Sequence, residues 1–330
     1  MSAALSFDDE VGDQVAAAVA DVARAVFAGH AATPRTDLLG ALGKSGLLGL
    51  GVPQDQGGSG GSALLAGLVA EQAGVALTAP DVLHQWVGVV ALAAAGADVE
   101  DVAAASAGTL PIMVGFTAAT ASEVSVPFVV DADLLLLCTD GGLVTSPEVA
   151  VDPTRRAADC WNAPDWWETT LAVSPTASTV PWQARSHRDV CNFAGALAAM
   201  YMIGAAADLL RQTAAYAGVR TQFGAPIGSF QAVKHSLADA WIGLHHAREL
   251  AVGALKGQAG GLDGLSLAAL AGGSAAQGSA ERCLQAMGGI GFTWESDVHR
   301  YLKAIVRLRH WPLPEQLRRG ELRAALLPSR

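Results

Sequence analysis

Residues 216 to 239, YAGVRTQFGAPIGSFQAVKHSLAD, set a guanidinium (Arg220), two carboxamides (Gln222 and Gln231) and the start of a helix around one turn. Such a group suits an anion like a pyrophosphate. The Arg supplies a fixed cation with a bidentate fork, and the helix N-terminus supplies amide N–H groups. The same residues would equally serve as the solvated surface of a helical hairpin. A second stretch, QAMGGIGFTWESDVHR at 285 to 300, puts Gln285 shortly before Gly288 and Gly289. Glycine lets a backbone N–H approach a ligand closely, and it also ends helices in the left-handed conformation.

The elements that must hold these turns are legible from the hydrophobic period. A helical pattern over about 186 to 220 stops at Phe223-Gly224, Pro226 forbids its continuation, and Ser229 is the expected cap of a run over 229 to 257 that carries Gln231, Lys234 and His235. Further helical stretches at about 265 to 287, 295 to 309 and 315 to 326 suit an antiparallel bundle. Upstream, helices are expected over 8 to 28, from Thr33-Pro34 or Thr36 toward Leu48, over 63 to 74 and over 82 to 95. GVPQDQGGSGGS interrupts them and lacks the lysine of a phosphate loop, so it reads as a structural turn. Between 108 and 180 short apolar runs punctuated by Gly, Pro and Asp indicate strands. Asp131-Ala132-Asp133 and Asp140-Gly141-Gly142 read there as turns, and WNAPDWW at 161 to 167 as the lining of an interface or ligand pocket or as packing of a small domain. The expected fold is mostly α with a small β domain, divided as 1–107, 108–184 and 185–330.

RTQFGAPIGSFQAVKHSLAD resembles the signature of the acyl-CoA dehydrogenase family: an Arg-x-x-Phe-Gly turn, a Phe-Gln pair and a Leu-Ala-Asp. QAMGGIGFTWESDVHR is similar to a second family signature. The resemblance implies a helical, then β-barrel-like, then helical-bundle architecture. It also implies that Arg220, Gln222, Phe223, Gln231, Gln285, Gly288 and Gly289 contact FAD across a subunit interface. In the family a Glu removes the α-proton of the acyl-CoA substrate from one of two places. Counting from the motifs puts these at about Ala194 and Pro312, neither of which takes a proton, with Asp189 and Glu315 several residues away. The acidic-Gly-Ser-Asp and Gly-x-Lys-x-x-Ile-Thr segments that cover the flavin ring are also missing. What the resemblance implies is therefore the smaller, non-catalytic subunit of an α2β2 acyl-CoA dehydrogenase. It resembles those of actinobacterial steroid degradation, with the Glu on a larger partner. The alternatives are a self-sufficient enzyme with a relocated base, Glu315 or Glu168, or a flavin-free scaffold subunit.

Composition narrows the field further. A net charge of −10 argues against sequence-independent nucleic-acid binding. The Arg-rich end, Arg300 to Arg330, faces either an acidic partner or solvent. Cysteines 138, 160, 191 and 283 show neither disulfide nor zinc spacing, and the acidic N-terminus lacks the order of a signal peptide, so a cytoplasmic setting is expected. The uncharged run 190 to 207 touches membrane-span length, but its Ala and Gly content suits a helix buried in a bundle. His235, His245, His246 and Asp239 fall near helical spacing without a complete metal set.

Overall fold

The computed structural model describes residues 12–31, 33–78, 80–121, 123–127, 132–146, 168–172, 178–183, 187–258 and 262–326. The WNAPDWW stretch, Cys160 and Asp131 lie outside the described residues. The expected architecture is present: helices, a small β region, then a helical bundle.

Five helices come first, α1 (Asp13–Gly29), α2 (Arg35–Lys44), α3 (Ala63–Val75), α4 (Val82–Ala95) and α5 (Val99–Ser106). The loop before α3 is packed rather than open. A Cβ on Gly58 would collide with the Val52 carbonyl and one on Gly57 with that of Val99, so its glycines answer to the chain's own crowding.

In the β region, β1 (Ile112–Thr117) pairs in parallel with β3 (Leu134–Thr139), which turns back tightly into antiparallel β4 (Gly142–Ser146) and then β6 (Ser178–Val180). The turn at Asp140-Gly141 is held by the Thr139 hydroxyl, which donates to the Gly142 carbonyl at 2.7 Å and accepts the Gly142 N–H at 3.1 Å. A second sheet of β2 (Glu123–Pro127) and β5 (Glu168–Ala172) covers the outer face. Alternation along the strands divides the faces: Ile112, Val114, Leu136 and Cys138 join the main helical core, whereas Met113, Leu135, Leu137 and Val144 close on Val124 and Val126. Buried His84 of α4 ties the layers together, accepting the Val114 N–H on Nδ1 (3.3 Å) and facing the Pro127 carbonyl with Nε2 (2.9 Å).

The chain returns through α6 (His187–Val219), a two-stranded hairpin of β7 (Thr221–Gln222) and β8 (Ala225–Pro226), α7 (Gln231–Leu255), α8 (Leu262–Met287), α9 (Val298–Leu308) and α10 (Glu315–Leu326). By length and composition α6 would cross a membrane, yet here it is the buried axis of the bundle. Small residues let its neighbours in. A Cβ on Gly204 would strike the Glu71 carbonyl of α3, and one on Gly272 of α8 would lie 2.7 Å from the Ala199 methyl. Arg248 of α7 grips buried Glu71 with two hydrogen bonds, at 2.6 and 3.0 Å. Asp208 of α6 accepts from Tyr301 of α9 (2.7 Å), Gln212 (2.7 Å) and Arg211 (2.8 Å). Burial raises its carboxyl, but those hydrogen bonds outweigh burial and hold it below the ordinary carboxylate range.

Two outcomes test this packing. Gly204→Ala should destabilise the chain by about 1–3 kcal/mol through overpacking, whereas Gly218→Ala, with open space around it, should stabilise it by roughly 0.5–1 kcal/mol; urea unfolding reads both signs. Because the Asp208 carboxyl is depressed in the folded state, its contribution is present near neutrality and lost as the pH falls through the carboxylate range. The stability gap between wild type and Asp208→Asn should therefore narrow on acidification.

Candidate functional site

Both sequence turns sit at one end of the bundle. Since α6 runs into the hairpin, α7 leaves it, and α8 runs antiparallel to α7, the end of α8 returns to the hairpin's end of the molecule. A short 3-10 turn, Gly288–Phe292, follows there. Arg220, Gln222, Phe223, Gln231, Gln285, Gly288 and Gly289 thus share that end, all on the surface or only partly covered.

The first turn departs from the expected helical hairpin. Phe223 (φ +52°) and Gly224 (φ +80°) are its two central residues and both are left-handed. This geometry favours Asn-Gly or Gly-Gly and is strained for a bulky aromatic, at a cost of about 1–3 kcal/mol. The Phe223 ring gains little in return, being 95% exposed with only an edge-on neighbour in Phe230 at 6.3 Å. Strain without packing marks a residue displayed outward. The Arg220 backbone is fixed, its N–H donating to the Tyr216 carbonyl (2.9 Å) and its carbonyl accepting from Ile227 (2.8 Å). Its guanidinium has no partner among the described residues.

Ser229 does not cap α7. Its hydroxyl donates to the Pro226 carbonyl at 2.7 Å within a 3-10 turn, and α7 begins at Gln231 with Phe230 before it and no side-chain cap. The first amides of α7 therefore remain open to an anion. At the second turn Gly288 (φ +63°) ends α8, as the helix-stop reading expects. A Cβ on Gly288 or Gly289 would meet nothing within 4 Å of its own chain. Free approach from outside is what their lack of a side chain provides. Arg220, the open helix start and the bare glycines fit the pyrophosphate end of a dinucleotide.

The two positions expected to carry a base are closed. Ala194 is fully buried on α6 and Pro312 is buried in the α9–α10 connection. The space beside them, lined by Gly195, Trp311, Arg309, Glu315 and Arg318, is a cavity of about 10 Å³. One water fills such a volume, whereas pockets for ligands run to roughly 300–1,000 Å³. What fills it is Arg-rich. The Arg318 side chain is 2% exposed and lies over Gly195, where any Cβ would displace it. Arg309 pairs with Glu315, which Arg319 also holds at 2.6–2.7 Å. Burial raises the Glu315 carboxyl, but Arg319 and Arg309 together bring it below the usual range. A carboxylate clamped between two guanidiniums is a poor proton acceptor. On the sheet side, Trp311 packs edge-on against His84 (5.5 Å) and Phe116 (5.8 Å), closing the gap between sheet and bundle.

This corrects the reading of the Arg-rich end at two residues. Arg309 is drawn inward to Glu315 and Arg318 is buried, whereas Arg300, Arg319 and Arg323 remain exposed, as the solvent-facing reading expects. Glu168 opens β5 in the outer sheet. Among the described residues no three His, Cys, Asp or Glu side chains converge as metal ligands, and His245 instead stacks flat on Trp241 at 5.3 Å. Sequence reasoning missed the plug, which needs a residue of α10 to meet a glycine of α6 far away in the chain.

Comparison with known proteins agrees with this fold. Residues 190–312 match the acyl-CoA dehydrogenase C-terminal domain, and residues 3–100 match the N-terminal domain. The chain is 32% identical to acyl-CoA dehydrogenase IpdE2 of Mycobacterium tuberculosis over 78% of its length and 76% of that protein's. Two solved structures share the fold. One is the Tcur3481-Tcur3483 steroid ACAD G363A variant (TM-score 0.77, 21% identity, 96% and 99% covered). The other is a glutaryl-CoA dehydrogenase from Mycobacterium smegmatis in complex with FADH2 (TM-score 0.76, 19% identity, 97% and 96% covered). With both domain models spanning most of its length, the chain belongs to the acyl-CoA dehydrogenase family.

Proposed function

We propose that this chain is the smaller, non-catalytic subunit of a heteromeric acyl-CoA dehydrogenase. Arg220, Gln222, Phe223, Gln231, Gln285, Gly288 and Gly289 contribute to an FAD site whose remainder, including the catalytic Glu, belongs to a larger subunit in an α2β2 assembly. One contrast carries the reading: the chain's own base positions are plugged by Arg318 and the Arg309–Glu315 pair, while its cofactor turns are exposed and strained outward.

FAD, when bound, supplies the hydride acceptor for α,β-dehydrogenation of an acyl-CoA thioester. This chain's residues bind and orient. The Arg220 guanidinium neutralises pyrophosphate charge, the open amides of α7 and the glycine turn add N–H donors, and Phe223 covers apolar cofactor surface. Support for a two-chain enzyme and for a steroid-derived CoA thioester comes from the similarity to the Tcur3481-Tcur3483 steroid ACAD.

A self-sufficient enzyme using Glu315 is disfavoured by the ion pairs that hold that carboxylate. Co-expressed with its larger subunit, the Glu315→Gln variant should keep kcat within about twofold while unfolding at a lower temperature, and Glu168→Gln should likewise leave kcat unchanged; loss of dye reduction in either would identify the base. Arg220→Ala should weaken flavin retention by roughly tenfold to a hundredfold, the equivalent of about 1.5–3 kcal/mol for a charged hydrogen bond, read by flavin absorbance after gel filtration, with Arg220→Lys intermediate. A flavin-free scaffold would show no change.

A further inference from the structure

Among the described residues, the four most exposed large hydrophobic side chains all belong to the two cofactor turns or adjoin them: Phe223 (95%) and Val219 (77%) at the first, Phe292 (74%) and Trp294 (68%) at the second. Trp294 is also held in place. His299 of α9 meets its ring edge-on, with centroids 4.6 Å apart and 72° between the planes. That imidazole is itself fixed, its Nδ1 donating to the Ser296 carbonyl at 2.8 Å. One turn further along α9, the Lys303 ammonium stands 5.0 Å from the Trp294 ring centroid, within reach of a cation–π contact. An indole oriented by two neighbours yet largely exposed is a prepared flat surface, and a ring laid on it meets a side chain whose rotamer is already set.

Resting on the subunit reading above, we propose that Trp294 is the stacking platform for the adenine ring of the FAD whose pyrophosphate lies at Arg220 and the Gly288-Gly289 turn, and that it makes the site select FAD over FMN. A dinucleotide continues past its pyrophosphate into an adenosine, so a turn that holds the one needs a surface for the other. Trp294 follows Gly289 by five residues, just beyond the 3-10 turn and before α9. The shared chemistry of an adenine ring is offered by both FAD and a CoA thioester. Charge decides between them: Glu295 and Asp297 cancel Arg300 and Lys303 around the indole, which suits a neutral ring better than the 3′-phosphorylated adenosine of CoA. Stacking of a base on an aromatic side chain needs no further polar contact.

The test strips the assembly of this chain with its larger subunit of flavin and titrates it with FAD and, separately, with FMN, following flavin fluorescence. Trp294→Ala should raise the Kd for FAD by roughly tenfold to a hundredfold, the worth of one stacked base. The Kd for FMN, which lacks the adenosine, should stay unchanged, and Trp294→Phe should recover most of the FAD affinity. Because the side chain is exposed, far-UV circular dichroism and elution as the intact assembly should match wild type. An unchanged FAD Kd in Trp294→Ala, or equal losses for FAD and FMN, would overturn the proposal while leaving the subunit reading intact. So would a variant that no longer holds its partner, or one that weakens CoA binding and spares FAD. No flavin uptake by the wild-type assembly would overturn the subunit reading and this inference together.

Discussion

The close burial of α6 is the constraint on which the other features depend. It can lie at the bundle's centre only because Gly204 admits the α3 backbone, Ala199 admits α8 at Gly272, and Gly195 leaves room for Arg318. A first half packed on nearly every side carries few charges, which is why its sequence reaches membrane-span apolarity. It also fixes where the chain emerges. Thirty-three helical residues span about 50 Å, and the ends of α6 and α8 carry both turns to one end of the bundle.

The same packing decides which chemistry the chain keeps. Gly195 is where a chamber beside Ala194 would have to open, and a guanidinium stands there instead. Burying Arg318, with Glu315 bound between Arg309 and Arg319, makes a charged plug held by tertiary contacts and closed on the sheet side by Trp311. Opening it would strand charges in a low-dielectric interior, which costs several kcal/mol per ion. At the other end Arg220, Phe223 and Gly289 are exposed among the described residues. Among the described residues the space beside Ala194 and Pro312 is filled by side chains, whereas the two turns offer donors and aromatic surface.

Much of the fold was legible because helix period and glycine-proline punctuation act locally. The spans of α4, α8 and α10 fall close to expectation, and strands occur between 108 and 180 as expected. Local reasoning failed where two signals competed. Ser229 is a good cap residue by type, but the left-handed Phe223-Gly224 turn delivers the chain through a 3-10 turn that takes its hydroxyl first. The turn residues were legible from type and motif, whereas their strain and exposure were not, since these depend on what the rest of the bundle leaves uncovered. Arg309 looked like surface because charge runs usually are; its partner Glu315 lies only a few residues away and draws it inward, while Arg319 stays exposed. The burial of Arg318 against α6 leaves no signal in its own stretch.

The central claim is that this chain donates half a flavin site and completes none of its own. The direct measurement is flavin stoichiometry in the purified assembly of the two subunits, from flavin absorbance against quantified polypeptide. The account predicts one FAD for each pair of unlike chains, with the chain purified alone colourless. One FAD per polypeptide, or flavin retained by this chain in isolation, would contradict it.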